Sequence, residues 1–250
     1  MTIMAIGFPG RKLFALAAAL PLLGGATMAA TGYFAGYFDR QAMDYRPALG
    51  QPRQDLVAIY FSGDMGLRLG PGCRTVAALR RQGLAVMAVD SPALFRLTRD
   101  RAFVDALVAD TIRAALARSH AAKVALIGAA FGAGILDTGL GAVPADLRSR
   151  IASVVLVQPG TAVYFQANPG GLIHPGAPDS DPYRTVRLLN GLPVTCIAKS
   201  SQDQGLCAAG QLAGASHVQL DALRPRGPAY KVDIASIAAN AALFPPEPMH

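Results

Sequence analysis

A glycine-flanked turn is the first place where this sequence could do chemistry. Residues Leu126–Gly134, LIGAAFGAG, follow apolar, strand-like residues and lead into small residues typical of a helix. A strand-to-helix turn of the form Gly-x-Ser-x-Gly presents a serine nucleophile with its hydroxyl exposed. Here the central residue is Ala130, which has no oxygen to attack a carbonyl. The sequence therefore predicts the backbone turn that presents a nucleophile, but without a nucleophilic side chain.

Polar residues also follow two other predicted strands. The first strand ends in Phe61-Ser62-Gly63-Asp64, and the second ends in Asp90-Ser91. Ligands bind at the carboxyl ends of the strands in a parallel sheet, so these residues are expected near Ala130. The loop after the first strand could offer backbone N–H groups as an oxyanion hole. Ser62 and Ser91 could be nucleophiles, but a turn or capping role explains them more simply.

The elements that must position these residues alternate between strands and helices. This order predicts one α/β domain at 55–243 with a doubly wound, mostly parallel, six-stranded sheet. The predicted strands are Val57–Phe61, Ala85–Val89, Val124–Ile127, Ser153–Val157, Val194–Ile197 and Val218–Leu220. The predicted helices are Val76–Gln82, Arg101–Ser119, Gly132–Leu140, Gln202–Leu212 and Val232–Leu243. Residues 39–54 are expected to be a linker, 160–190 a lid-like insertion rich in Gly and Pro, and 244–250 a tail.

The motifs at the strand ends resemble those of the bacterial VirJ/AcvB family of virulence proteins. Tyr60–Gly66, YFSGDMG, resembles the family's F-S-G-D-G-G, and Val89-Asp90-Ser91 with Phe95 resembles V-D-S-x-x-Y-F. Leu126–Ala133 resembles L-I-G-Y-S-F-G-A, and Pro193–Ile197 with Leu206-Cys207 is similar to P-V-L-C-I-Y-G followed by L-C. The resemblance covers most of residues 55–243 and implies an α/β-hydrolase fold, here without its first strands.

The family also implies a serine hydrolase at the periplasmic membrane face, with lysyl-phosphatidylglycerol as the associated lipid. Its catalytic positions match Ala130 for the nucleophile, Arg224 or Pro225 for the base, and Asp203, out of register, for the acid. Arginine keeps its proton near neutral pH, so the triad is degenerate. His217 and His174 are alternative bases, although a packed or surface histidine is the simpler explanation of each. The expected ligand-binding residues are Ser62, Gly63, Asp64, Ser91, Phe131, Arg224 and Arg226, because two arginines at a vacant site could bind an anion.

The N-terminal residues indicate a membrane segment. Leu13–Phe38 contains no charged residue, follows Arg11-Lys12, and ends in Tyr33-Phe34 and Tyr37-Phe38. Its length and aromatic end favour a signal anchor over a cleaved signal peptide, and the preceding charges predict a cytoplasmic N-terminus at 1–12. The domain is then expected at the periplasmic face of the inner membrane, or in the periplasm if the segment is cleaved. The formal net charge of +7 fits an ordinary basic surface or attraction to an anionic membrane surface, and no nucleic-acid motif is present.

The three cysteines allow one disulfide. Cys196 and Cys207 lie 11 positions apart around a turn-like segment, and an oxidising periplasm would permit their pairing, although three buried thiols are the alternative. Cys73 would then be unpaired. No Cys-x-x-Cys pair predicts a metal site, and the glycine spacing Gly128-x-x-x-Gly132-x-Gly134 is not that of a dinucleotide site, so no cofactor is expected.

Three functions remain open at this point. The first is a catalytically degenerate protein that binds an anionic or aminoacylated lipid or an envelope partner protein. The second is an esterase with a relocated triad, and the third is a scaffold for virulence or secretion assemblies. The vacant position at Ala130 favours the first and third.

Overall fold

One mixed sheet organises the chain in the computed structural model, which describes residues 27, 29–68, 71–168, 176–200, 205–208, 210–212, 214–220 and 233–249. Within these residues the sheet has seven strands in the order β1-β3-β2-β4-β5-β6-β7. All neighbouring pairs are parallel except β1 with β3. The strands are β1 (Met43–Arg46), β2 (Leu56–Phe61), β3 (Ala85–Val89), β4 (Lys123–Ala129), β5 (Ile151–Val157), β6 (Val194–Ala198) and β7 (Ser216–Gln219).

The sequence-based count of six strands is wrong by one, because β1 lies in the segment predicted to be a linker. This strand pairs antiparallel with β3, with Met43 opposite Val89 and Arg46 opposite Val86. It is four residues long, half-exposed, and contains Asp44 and Arg46. A short edge strand of this kind lacks the continuous apolar run that marks buried parallel strands, so the pattern does not reveal it.

The helices agree with the sequence pattern except after β6. They are α1 (Pro71–Arg81), α2 (Ser91–Leu94), α3 (Arg101–Ser119), α4 (Phe131–Leu140), α5 (Ala145–Arg148), α6 (Pro182–Thr185) and α7 (Ile234–Leu243). The continuous helix predicted at Gln202–Leu212 is wrong: its described part holds two short 3-10 turns, Leu206–Ala208 and Gly210–Leu212. Gly205 and Gly210 disfavour a helix here, and the disulfide at Cys207 constrains the same segment.

The sheet is covered by helices on both faces. Val57, Ile59 and Phe61 of β2 point into the core beneath α3 and α4. The alternating residues Leu56, Ala58 and Tyr60 point into the core beneath α1 and α7. Every residue of β2 is buried, which explains why the strand is apolar without alternation. The doubly wound arrangement brings the carboxyl ends of the parallel strands to one exposed edge.

The end of the predicted membrane segment packs on the domain. Ala35 is fully buried, and a Cβ atom placed on Gly36 would lie 2.3 Å from a carboxylate oxygen of Asp90. In the described part of the chain, no helix combines the length and apolar character that crossing a membrane requires. Residues 1–26 and 28, which hold most of the predicted anchor, lie outside the described residues.

The described part of the 160–190 insertion packs beside α4. Val163 pairs with Ser180 in an isolated antiparallel bridge, and α6 follows at Pro182–Thr185. The Thr138 hydroxyl of α4 donates a hydrogen bond to the Ser180 hydroxyl at 3.1 Å. Residues 169–175 lie outside the described residues.

Candidate functional site

The turn between β4 and α4 has a backbone conformation that is rare for residues other than glycine. Ala130 has φ 47° and ψ −112°. Its N–H donates to the carbonyl oxygen of Val157 on the neighbouring strand at 2.9 Å. Such a conformation costs on the order of 1–3 kcal/mol and persists only where the surrounding structure imposes it. The sharp strand-to-helix elbow is therefore present although its central side chain is a methyl group.

Two glycines allow the elbow to form because other backbone passes very close to it. A Cβ atom on Gly128 would lie 2.6 Å from the Cα atom of Ala133. A Cβ atom on Gly132 would lie 2.4 Å from the carbonyl oxygens of both Phe61 and Ser62. These separations are too short for any side chain, so the glycines bring α4 against the end of β2.

A cleft of about 210 Å³ lies over Ala130. The elbow and α4 form one side, the loop after β2 forms another, and the insertion closes the third. The lining residues are Asp64, Ala130, Phe131, Gly134, Gln158, Gly160, Ala162, Val163 and Tyr164. Asp64 is the one acidic or basic side chain among these described residues.

The cleft combines hydrogen-bond donors with a carboxylate. Phe131 is the first residue of α4, so its backbone N–H has no acceptor within the helix and lies at the positive end of the helix dipole. Gly63 is adjacent, since a Cβ atom there would lie 3.4 Å from the Ala130 Cβ atom. Asp64 follows in the same loop and also lines the cleft. The cleft is therefore bordered by a backbone N–H donor at the start of α4 and by the carboxylate of Asp64.

Tyr37 of the N-terminal segment lies close to Asp64. Burial, and then the negative charge of Asp64, raise the pKa of the Tyr37 phenol far above its usual value. The Tyr37 hydroxyl is buried and has no hydrogen-bond partner among the described residues. The N-terminal segment therefore contributes to the surroundings of the cleft.

Ser62 and Ser91 lie beneath the cleft, where they form a structural contact. Both are fully buried, and the Ser91 backbone N–H donates to the Ser62 Oγ atom at 2.9 Å. Asp90 caps α2 by accepting a hydrogen bond from the Ala93 N–H at 3.4 Å, and burial raises its pKa to about 6. Neither serine lines the cleft. Of the predicted ligand-binding residues, the structure places Asp64 and Phe131 in the cleft and Gly63 at its edge.

The described histidines do not supply a base to Ala130. His217 lies on β7, its Nε2 atom is 2.8 Å from the Leu212 carbonyl oxygen, and it borders a small cavity beside the disulfide. His120 ends α3 in a left-handed conformation. The predicted positions Asp203, Arg224, Arg226 and His174 lie outside the described residues.

The disulfide prediction is confirmed. Cys196 of β6 is bonded to Cys207, with 5.5 Å between their Cα atoms. Cys73 is half-buried and takes no part in a disulfide. It borders a larger groove of about 530 Å³ between β1 and α1, and that groove does not include the elbow. We place the candidate site at the smaller cleft because it contains Ala130.

Among the described residues, no group of His, Cys, Asp and Glu side chains is arranged to hold a metal ion.

Sequence analysis predicted the lid-like insertion that begins at Gly160 but did not name the residues after β5 that line the cleft. Gln158, with φ 49°, directly follows this strand, and Gly160, Ala162, Val163 and Tyr164 continue from it into the cleft. A signal was available, because Gln158-Pro159-Gly160 sits at the carboxyl end of a parallel strand, where ligands bind.

The elbow, the doubly wound sheet and the cleft at its carboxyl edge define an α/β-hydrolase fold, and solved structures agree. Est1E from Butyrivibrio proteoclasticus matches with a TM-score of 0.53 and 10% identity, over 80% of this chain and 90% of that chain. Dienelactone hydrolase from Anabaena variabilis matches with a TM-score of 0.53 and 15% identity, over 79% and 88%. DcsB, in complex with its substrate analogue, matches with a TM-score of 0.52 and 13% identity, over 80% and 94%.

Residues 55–241 match the family model described as bacterial virulence protein (VirJ). The chain therefore belongs to the VirJ family. No curated protein matches it in sequence.

Proposed function

We propose that this chain is a non-catalytic member of its family that binds an aminoacylated or anionic lipid at the periplasmic face of the inner membrane. The observation that carries the proposal is the cleft itself. It retains the elbow, the N–H donor of Phe131 and the carboxylate of Asp64, while Ala130 occupies the position of the nucleophile. Binding needs the first three features, whereas hydrolysis needs an attacking oxygen as well.

Of the two ligand classes, an aminoacyl ester fits the described part of the cleft better. Its ester carbonyl can accept a hydrogen bond from the Phe131 N–H, and its ammonium group can pair with Asp64. Lysyl-phosphatidylglycerol, the lipid that the family resemblance implies, carries both groups. An anionic headgroup alone would leave the Asp64 carboxylate opposed to a like charge. Arg224 and Arg226 would strengthen the binding of the lipid phosphate if their loop reaches this edge of the sheet.

A relocated triad finds no support among the described residues. Ser62 and Ser91 are buried beneath the cleft, and His217 contacts Leu212 near the disulfide. Serine catalysis requires a base within hydrogen-bond reach of the nucleophile. No described histidine lines the cleft.

Titration calorimetry tests the proposal by measuring the binding of a water-soluble, short-chain lysyl-phosphatidylglycerol. Short-chain phosphatidylglycerol and phosphatidylcholine are the comparison ligands. Asp64→Asn removes the charge with little change in shape and should weaken binding of the lysyl lipid by roughly tenfold or more, since hydrogen bonds to charged groups contribute ~1.5–3 kcal/mol. Asp146→Asn, at an exposed acid on α5, is the matched control and should bind like the wild type.

The comparison ligands and variants distinguish the proposed function from its alternatives. Equal binding of phosphatidylglycerol, weakened by Arg224→Ala/Arg226→Ala and unaffected by Asp64→Asn, would replace the aminoacyl assignment with an anion site. Conversion of the lysyl lipid to free lysine would refute the non-catalytic assignment. Failure of all three lipids to bind would leave an envelope protein partner or a scaffold as the function.

A further inference from the structure

Four exposed apolar side chains form a patch beside the cleft, which we call the apolar collar: Tyr33, Phe34, Phe38 and Met65. Their exposed fractions lie between 44% and 64%. The Tyr33 and Phe34 rings meet edge to face, with their centroids 5.7 Å apart. The Phe38 ring lies 3.4 Å from the position of a Cβ atom on Gly32, the residue before Tyr33. Large exposed apolar side chains that cluster in this way mark an interaction surface.

The collar is held against the domain by close backbone contacts. Gly66, with φ +63°, lies so close to the N-terminal segment that a Cβ atom there would be 2.2 Å from the carbonyl oxygen of Ala35. Gly36, with φ +81°, approaches the Asp90 carboxylate in the same way. Met65 directly precedes Gly66, so the loop that follows β2 carries it alongside the N-terminal segment, which is far from it in sequence. The collar is a composite surface of the folded domain.

Two cationic residues accompany the collar. The Arg68 guanidinium lies over the Tyr33 ring, 4.7 Å from its centroid, and pairs with Asp39. Arg40 is exposed two residues after Phe38. Tyr and Phe rings together with arginine are typical of side chains at the boundary between acyl chains and anionic headgroups.

The sequence before the collar also indicates contact with a membrane. The collar's aromatic residues end the uncharged run Leu13–Phe38. Ala35 and Gly36 are packed on the domain, so the uncharged run meets the domain surface at the collar. Tyr33, Phe34 and Phe38 therefore lie where an apolar segment entering a bilayer would leave the domain. We propose that the apolar collar docks the domain on the headgroup boundary of an anionic lipid bilayer.

Docking through the collar has a consequence for the cleft. Asp64 lines the cleft and precedes Met65 in the chain, so a bilayer in contact with Met65 lies at the mouth of the cleft. A lipid headgroup could then reach the Phe131 N–H without leaving its leaflet. This consequence rests on the proposed function, whereas the docking itself does not.

The chain contains no tryptophan, which makes a single introduced tryptophan an unambiguous probe of bilayer contact. The full-length protein would be reconstituted into vesicles of phosphatidylcholine and phosphatidylglycerol with brominated acyl chains, which quench tryptophan fluorescence on contact. Met65→Trp is the decisive variant, because its loop is not continuous with the N-terminal run. Phe34→Trp and Phe38→Trp report on the rest of the collar. Phe244→Trp is the matched control, since Phe244 is 75% exposed and follows α7, which contacts the start of β5 through the Ser153 hydroxyl.

We expect quenching and a blue shift for tryptophan at positions 34, 38 and 65, and neither for position 244. Quenching at 34 and 38 without quenching at 65 would refute the collar, because the N-terminal run alone would explain it. Equal quenching at 244 would show unspecific adsorption and would also refute it. A blue shift at 65 that depends on protein concentration and not on lipid would assign the surface to a second copy of the chain. Circular dichroism of each variant establishes that it is folded, and lipid-ligand binding is measured separately, so the two proposals fail independently.

Discussion

Hydrolases of this fold carry catalytic residues at the ends of the strands that correspond to β4 and β6. In this chain the two positions differ from each other. At the end of β4 the geometry is kept and the reactive atom is missing: Ala130 holds a strained conformation between Gly128 and Gly132. At the end of β6 the chain instead carries a covalent link, from Cys196 to Cys207. The elbow therefore persists because the packing of α4 on β2 requires it, whereas the disulfide ties β6 to the 3-10 turn at Leu206–Ala208.

The first prediction concerns turnover at the elbow, where loss of the triad is expected to have the largest effect on rate. Ala130→Ser restores the attacking oxygen, yet we expect no esterase activity above background, because a serine without its base is a weak nucleophile. Loss of a triad typically costs some six orders of magnitude in rate. Hydrolysis of short-chain nitrophenyl esters measures this, with Ala162→Ser in the same cleft as the control. Rapid turnover by Ala130→Ser alone would show that a base does reach the elbow.

Fluorophosphonate labelling tests the wild-type chain in the same way. We expect no labelling, since Ser62 and Ser91 are both fully buried and neither lines the cleft. Labelling that disappears on mutation of either serine would contradict the non-catalytic assignment.

The next largest effect is a pH dependence of stability caused by Asp137 of α4. Asp137 is fully buried and accepts a hydrogen bond from the Thr185 hydroxyl of the insertion. Burial raises the pKa of Asp137 to about 7, although the hydrogen bond and the charge of Arg101 act in the opposite direction. The usual carboxyl pKa is near 3.9, so the folded protein binds the proton more tightly than the unfolded chain does. The resulting stability is fully present below about pH 4 and is lost as the pH rises to about 7, by at most ~1.4 kcal/mol per pH unit.

Asp137→Asn should remove this part of the pH dependence of the free energy of unfolding. Urea unfolding between pH 5 and pH 8 measures it, with the exposed Asp146→Asn as the control. Burial raises the pKa of Asp90 to about 6, which adds a dependence of the same sign, but both variants retain it. Identical pH profiles for the wild type and Asp137→Asn would show that burial does not raise the pKa of Asp137.

The disulfide after β6 should contribute a smaller, pH-independent stabilisation. Replacing Cys196 and Cys207 together by alanine should lower the free energy of unfolding by roughly 2–4 kcal/mol, because the open loop regains conformational freedom in the unfolded chain. Cys73→Ala is the control and should have no effect on the disulfide. Mass spectrometry of the non-reduced protein shows the bond directly, and two alkylated thiols at these positions would contradict it.

The sequence predicted the sheet and the elbow because both have strong local patterns. Continuous apolar runs mark the parallel strands, and Gly128 and Gly132 mark the close approach around Ala130. It missed β1 because a short edge strand carries charged residues. It did not identify Val163 as a cleft residue, because that side chain lies against Gly134 of α4 only in the folded chain. The pairing of Ser62 with Ser91 likewise depends on adjacent strand ends, which no single stretch of sequence reveals.

The smallest effect isolates the packing that keeps the elbow in place. Gly132→Ala would put a methyl group 2.4 Å from the carbonyl oxygens of Phe61 and Ser62, and backbone atoms cannot move aside as a flexible side chain can. We expect a loss of ~1–3 kcal/mol of unfolding free energy, as is usual for an overpacked core. Gly210→Ala is the matched control, since nothing lies within 4 Å of a Cβ atom there and the change should stay within about 0.5 kcal/mol. If both variants unfold at the same urea concentration as the wild type, the contact between α4 and β2 does not fix the elbow, and the strained conformation of Ala130 would need another cause.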